Sequence, residues 1–209
     1  MSKAILILGE TGSGKTTSMR ELDPKTTFYI DCDGKGLSWK GWKTQYNKAN
    51  KNYYKSDDSD AIKSLMVQIS EKQTHIQTLV IDTLNGIMVA DEMRRAKEKG
   101  YDKWMDLAVS VYDIVDMSNK LRDDLTVVLI AHSQTSDDGF TTMLTNGRKL
   151  NKINLPSKVT TVIIAKEQDG KYVFETHAHN SVAKTPMGAI DDDYIPNDIT
   201  TVIKALEEF

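Results

Sequence analysis

Eight consecutive residues near the start of the chain, Gly9-Glu10-Thr11-Gly12-Ser13-Gly14-Lys15-Thr16, have the types and spacing to grip a polyphosphate. They match G-x-x-x-x-G-K-[ST], the phosphate-binding P-loop, or Walker A, pattern. Gly9, Gly12 and Gly14 let the backbone bend around phosphates in conformations that a side chain would forbid. The N–H groups from Gly9 through Thr17 would then point inward as a nest, backed by the positive end of a following helix. Lys15 would reach the β- and γ-phosphates of a nucleotide such as ATP, and the Thr16 hydroxyl would ligate Mg²⁺.

Other strand ends carry the groups that such a loop needs. Leu79-Val80-Ile81-Asp82 is an apolar run closing on a carboxylate, the Walker B pattern, so Asp82 is the second candidate for Mg²⁺. Thr83 follows, where ATPases of the AAA+ class usually carry a catalytic glutamate, so a base must come from elsewhere. Phe28-Tyr29-Ile30-Asp31-Cys32-Asp33 ends in two carboxylates two residues apart. Asp33, one step nearer the loop, is the preferred group to polarise an attacking water, with Asp31 the alternative. Both could equally be solvated carboxylates before the Gly34-Lys35-Gly36 turn. Ala131-His132-Ser133-Gln134 places polar groups at a strand end, where α/β sheets bind ligands. His132 or Gln134 would sense the γ-phosphate, or His132 would serve structure alone.

The elements that must position these groups follow from hydrophobic patterning. Strands are expected at 3–8, 26–30, 78–81, 126–131, 160–165 and 171–176, the last two joined by a Gln168-Asp169-Gly170 hairpin turn. Helices are expected near 15–22, 59–74, 84–99, 106–122 and 198–208, with Asp58, Ser59 or Asp60 capping the second. Alternating strands and helices imply an α/β fold, a mostly parallel sheet flanked by helices, with an antiparallel edge hairpin. Residues 134–150 read as a long mobile loop. The chain of 209 residues is expected to form a single domain, 1–209.

Bulk properties narrow the setting. A hydrophobic content of 39% against 27% charged residues favours folding over disorder. A net charge of −3 leaves nucleic-acid binding to a local patch. The lone Cys32 fits a reducing cytoplasm. No apolar run approaches the roughly 20 residues that span a bilayer, and no signal peptide is expected, so no membrane partner is expected either.

Taken together, Walker A, the D-x-D after the second strand, a Walker B aspartate followed by a hydroxyl residue and the polar fourth-strand end resemble the RecA-type ATPase core. Leu155-Pro156-Ser157-Lys158-Val159, Ala183-Lys184-Thr185-Pro186-Met187-Gly188 and Ile195-Pro196-Asn197-Asp198 are similar to segments of phage-encoded nucleotide-binding proteins. Those are minimal RecA-like ATPases linked to single-strand annealing and recombination. The resemblance implies ATP as the nucleotide and hydrolysis cycling affinity for single-stranded DNA. It also implies a homo-oligomer with ATP at subunit interfaces, the host cytoplasm as location and a possible single-strand-binding protein as partner. It implies an acidic residue at Asp33 that activates water, although the family usually has Glu there. A cation from the neighbouring subunit would assist; Lys166 and Arg148 are the candidates.

A nucleic-acid surface has one candidate segment. Residues 34–55 hold Lys35, Lys40, Lys43, Lys48, Lys51 and Lys55 with no acidic residue, interleaved with Trp39, Trp42, Tyr46, Tyr53 and Tyr54. Cations for phosphates beside rings for bases suit single-stranded DNA; core packing of the rings is the equal alternative. Arg148 and Lys149 lie in the loop where RecA-type proteins contact DNA. The cluster Arg94, Arg95, Lys97, Lys99 and Lys103 reads as a solvated helix face, and His177-Ala178-His179 as surface structure. Two rival functions stand beside a DNA-stimulated ATPase. One is a small-molecule kinase, disfavoured by the lack of an arginine-rich lid. The other is a loader or adaptor that binds ATP without hydrolysing it.

Overall fold

The computed structural model describes residues 3–100, 102–145 and 153–209. Its centre is β1 (Lys3–Gly9), bonded in parallel to β5 (Thr126–Thr135) on one side and β7 (Thr161–Gln168) on the other. Beyond β5 lie β4 (Thr78–Asp82), β2 (Thr27–Asp31) and β3 (Tyr53–Lys55), all parallel. Beyond β7 the sheet turns antiparallel through β8 (Lys171–Glu175) and β9 (Tyr194–Pro196). The strand order is β3-β2-β4-β5-β1-β7-β8-β9, with β6 (Thr141–Met143) paired to the end of β5. The mostly parallel sheet with an antiparallel edge is thus the expected architecture. Because β5 lies between β1 and β4, the register places Gly9 opposite His132 and Asp82 opposite Ile130.

Side chains alternate across each strand, so the sheet buries two faces. Leu6, Leu8, Phe28, Ile30, Leu79, Ile81, Val127 and Leu129 face one way. After the one-turn α1 (Trp42–Gln45), helices α2 (Ser59–Lys72), α3 (Leu84–Arg94) and α4 (Asp102–Met117) cover them through Ile62, Met66, Leu84, Val111 and Ile114. Ile5, Ile7, Tyr29, Val80, Val128 and Ile163 face the other way, under Met19, Leu22, Tyr46 and the final helix (Ile199–Glu208). Among the described residues no helix is long and apolar enough to cross a membrane.

Local chemistry explains where elements begin and end. Asp58 caps α2 by accepting from the N–H groups of Asp60 and Ala61. The expected helix at 15–22 is only a 3₁₀ turn, Thr17–Met19. Ser18 Oγ donates to Lys15 O (2.6 Å), and the Met19 N–H bonds Thr16 O instead, so the hydroxyl takes the carbonyl that an α-helix needs. The helix expected at 106–122 lies earlier and stops at Met117. Ser118 Oγ and Asn119 Nδ2 both donate to Val115 O there. The first half of the expected 134–150 loop is an ordered hairpin: β5 runs on to Thr135, turns through Ser136–Phe140 and pairs with β6. Asp138 holds that turn by accepting from Ser136 Oγ and the Phe140 N–H.

Candidate nucleotide site

The glycine-rich loop leaves β1 at the C-terminal edge of the parallel strands. Gly12 (φ +83°) and Gly14 (φ +91°) take the left-handed backbone that the bend requires. At Gly9 a Cβ would lie 2.6 Å from Ala165 O on β7, so only glycine lets the loop start this close to its neighbour. Ser13 N–H bonds Glu10 O (3.2 Å). Among the described residues no backbone carbonyl accepts from the N–H groups of Thr11, Gly12, Gly14, Lys15, Thr16 or Thr17. The loop is therefore a ring of spare donors. With a 3₁₀ turn in place of the expected helix, these donors and not a helix dipole supply the positive field. Lys15 is buried within the ring, its Nζ donating to Gly9 O (2.7 Å) and Glu10 O (2.6 Å). Burial lowers its pKa to about 8; Asp82 opposes this, nearby Lys35 adds to it, and Asp33 and Glu10 oppose it.

Asp82 sits beneath the loop at the end of β4. Its Oδ2 accepts from Thr16 Oγ1 (2.7 Å) and Tyr29 OH (2.6 Å), while its Oδ1 is buried with no partner. Burial raises its pKa, and the donors Tyr29 and Thr16, with Lys35, work against that rise. A buried carboxylate oxygen left unpaired beside a threonine hydroxyl suits a hard divalent cation, so these residues fit Mg²⁺. The pairing of Thr16 with Asp82 is the one expected from Walker A and Walker B. Tyr29, which strand patterning reads only as part of an apolar run, thus joins the candidate site through its hydroxyl. Tyr29 stands opposite Val80, so its ring reaches diagonally to Asp82, two residues further along β4.

The two carboxylates after β2 differ in role. Asp31 is locked: its Oδ1 accepts from the Gly34 N–H (2.8 Å), and its Oδ2 from the Gly36 N–H (2.8 Å) and Tyr53 OH (2.6 Å). It shapes the turn. Asp33 lies over the start of α3, its Oδ1 accepting from Thr83 Oγ1 (3.1 Å) and its Oδ2 paired with Lys35 Nζ (2.6 Å). Burial works against the charge on Lys35, yet the Asp33 pair prevails and raises its pKa. Gly86 on α3 accepts this proximity because it has no side chain; a Cβ there would lie 2.9 Å from Cys32 O.

His132 is half-buried at the Lys15 side of the site. Burial and Lys15 lower its pKa below the ordinary histidine range, which Asp33 only partly opposes, so it is neutral at neutral pH. Its backbone N–H donates to Asn85 Oδ1 (2.7 Å), and Asn85 Nδ2 donates to Leu144 O (2.9 Å). Asn85, which patterning does not single out, thus ties β5 to α3 and the hairpin arm. Gln134 is exposed and stands opposite Thr142 in the hairpin.

Several expected surface residues are committed elsewhere. Trp39 and Trp42 pack inward: Trp39 Nε1 donates to Gln45 Oε1 (2.6 Å) and its ring meets Tyr29 and Tyr46 edge-on, while Trp42 packs on Tyr53. Both rings are partly buried against the core, which favours the packing alternative. Lys40 and Lys43 remain exposed; Lys35 is paired with Asp33. Lys166 pairs with Glu175, with its Nζ over the Tyr194 ring, so a reach into a neighbouring subunit would have to break that pair. Arg148 and Lys149 lie outside the described residues. Arg94 pairs with Asp57, and Arg95 with Glu98 and Asp106. His177 and His179 both face Asp193, beyond the end of β8 and not on a strand. No cluster of three or more metal-binding side chains occurs among the described residues.

The family model AAA_24, an AAA domain, matches residues 1–187. No curated protein matches the chain. Among solved structures, the KaiC-like protein PH0186 from the hyperthermophilic archaeon Pyrococcus horikoshii OT3 is similar at 14% identity and a TM-score of 0.47, covering 82% of this chain and 76% of that one.

Proposed function

Because the chain belongs to the AAA_24 family of AAA domains and carries the RecA-like P-loop NTPase fold, we propose that it is a Mg²⁺-dependent ATPase whose cycle acts on single-stranded DNA. The observation that carries this reading is the Thr16–Asp82 pair under the Lys15 loop, with Asp82 Oδ1 buried and unpaired. Thr16 and Asp82 would hold the ion, which when bound would offset charge on the phosphates. Lys15 exchanges its two carbonyl acceptors for phosphate oxygens, and the loop N–H groups fix the triphosphate in one orientation. Asp33 accepts the proton of the attacking water once Lys35 leaves its Oδ2. Thr83 keeps the other oxygen in place. Neutral His132 reads the γ-phosphate and passes its position to Asn85 and the hairpin arm.

The DNA part of the reading is supported by charge and not by rings. Lys40, Lys43, Lys48, Lys51 and Lys55 stand at the edge beyond β2, in a segment without acidic residues, and Lys35 links that segment to Asp33. Exposed lysines suit a phosphate backbone without sequence preference. With Lys166 occupied, Arg148 is the remaining candidate for the cation donated across a homo-oligomer interface. ATP turnover titrated with single- and double-stranded DNA, with particle mass measured in parallel, tests the whole. Turnover per subunit should rise with protein concentration and with single strands. A rate flat in both refutes the cycle, and phosphate transfer to a nucleotide instead of water identifies a kinase.

A further inference from the structure

We propose that Tyr172 and Asn197 form the subsite for the nucleoside half of the triphosphate, an assignment that rests on the ATP reading above. Lys15, Asp82, Asp33 and His132 mark the γ-phosphate end, and beyond the loop they come from β2, β4 and β5, all on one flank of β1. The nucleoside must leave toward the other flank, where β7, β8 and β9 lie. There Gly14 is met by two side chains: a Cβ at Gly14 would stand 3.0 Å from Asn197 Oδ1 and 3.2 Å from Tyr172 Cδ1.

Each of the two has an unused capacity. Asn197 is 6% exposed, yet its Nδ2 is buried without a partner. An unpaired buried amide is unfavourable until an acceptor arrives. Tyr172, by contrast, is 52% exposed although its ring lies against the loop. An aromatic face left open beside a phosphate cradle is a stacking surface for a base. The pair is anchored: the Asn197 N–H donates to Tyr172 O (3.3 Å), and Arg20 Nη1 donates to Asn197 O (2.9 Å) and Thr17 O (3.3 Å). Asp198 caps the last helix by accepting from Thr200 N–H (2.9 Å), which fixes Asn197 between strand and helix. The Ile195-Pro196-Asn197-Asp198 segment thereby gains a purpose: it delivers one carboxamide to the end of the P-loop. In the competing cleft of about 430 Å³, lined by Glu10–Ser13, Ser133, Lys166, Glu167, Glu175 and His179, the one lysine is already taken by Glu175, which also accepts from Ser181 and the His179 N–H, and the carboxylates of Glu10 and Glu167 disfavour an anionic ligand. Tyr172 stacks on the base, a purine giving the larger contact, and Asn197 Nδ2 donates to a ribose oxygen.

Calorimetric binding of ATP and of inorganic tripolyphosphate to the full chain separates this subsite from the loop. Tyr172→Ala and Asn197→Ala should each weaken ATP about tenfold and leave tripolyphosphate within twofold. ATP affinity unchanged in Tyr172→Ala, or ATP and tripolyphosphate weakened equally, overturns the subsite while the P-loop reading stands. Wild-type protein that binds neither ligand overturns both. Tyr172 is exposed, so its substitution keeps the test valid if Asn197→Ala does not fold.

Discussion

Lys15 makes nucleotide affinity and protein stability respond to pH with opposite signs. Its ammonium is buried against Gly9 O and Glu10 O, and its pKa is lowered to about 8. The triphosphate needs the charged form and stays fully ionised across this window. Affinity is therefore flat up to pH 8 and then falls about tenfold per pH unit, so binding at pH 9 should be about tenfold weaker than at pH 7. In nucleotide-free protein the sign reverses. The folded pKa lies below the unfolded value of about 10.5, so between the two the unfolded chain binds more protons and stability rises with pH. The lysine costs about 3 kcal/mol of stability below pH 8, and this cost is relieved progressively toward pH 10.5. Titration calorimetry from pH 7 to 9.5 and urea unfolding over the same range measure the two slopes. Lys15→Arg, always charged, should flatten the affinity profile, and Lys15→Met should remove the stability slope. Wild-type affinity independent of pH, or a slope retained in Lys15→Arg, refutes the reasoning.

Tyr29→Phe removes one of two donors that fix the Asp82 carboxylate. Half-saturating Mg²⁺ should rise about tenfold, with ATP affinity in the absence of metal unchanged; an unaltered Mg²⁺ titration of turnover would refute this. Asp33→Asn should lower turnover about 10²–10⁴-fold with ATP binding retained, whereas unchanged turnover removes Asp33 as the base. Asp58→Ala should destabilise the protein by about 1 kcal/mol, read from the urea midpoint, because two helix N–H groups lose their acceptor. Trp39→Ala should cost at least about 2 kcal/mol of stability. Lys40→Ala with Lys43→Ala should leave stability alone and lower the salt slope of single-strand binding by about 0.7 per lysine.

The parts of this architecture legible in the sequence are those that local chemistry decides. The apolar run ending at Leu8 and the glycine spacing after it place a strand and a phosphate loop. Asp169-Gly170 places a hairpin, with both residues at positive φ (+52° and +74°). What stayed hidden depends on neighbours far apart in the chain. Tyr29 looks like any other ring in a buried strand until β2 and β4 are known to be adjacent and in register. Asp31 and Asp33 are alike in sequence, and only the bend through Gly34 and Gly36 commits one to the turn and leaves the other beside Thr83. Patterning predicts a helix after Lys15 because it does not weigh a serine hydroxyl that captures a main-chain carbonyl. Trp39 and Trp42, set among lysines, looked equally suited to solvent and core until the rings of Tyr29, Tyr46 and Tyr53 were seen to receive them.

The placement of β1 has a mechanical consequence. Ile5 through Leu8 are laddered to a strand on each side, and their side chains are completely enclosed. Amide protons in this stretch should exchange with deuterium only when the entire molecule opens, while those of Gly12 to Gly14 exchange through small local excursions. The loop is thus a short flexible lip clamped to the stiffest bar of the framework, and a load applied at the lip is passed straight into the sheet.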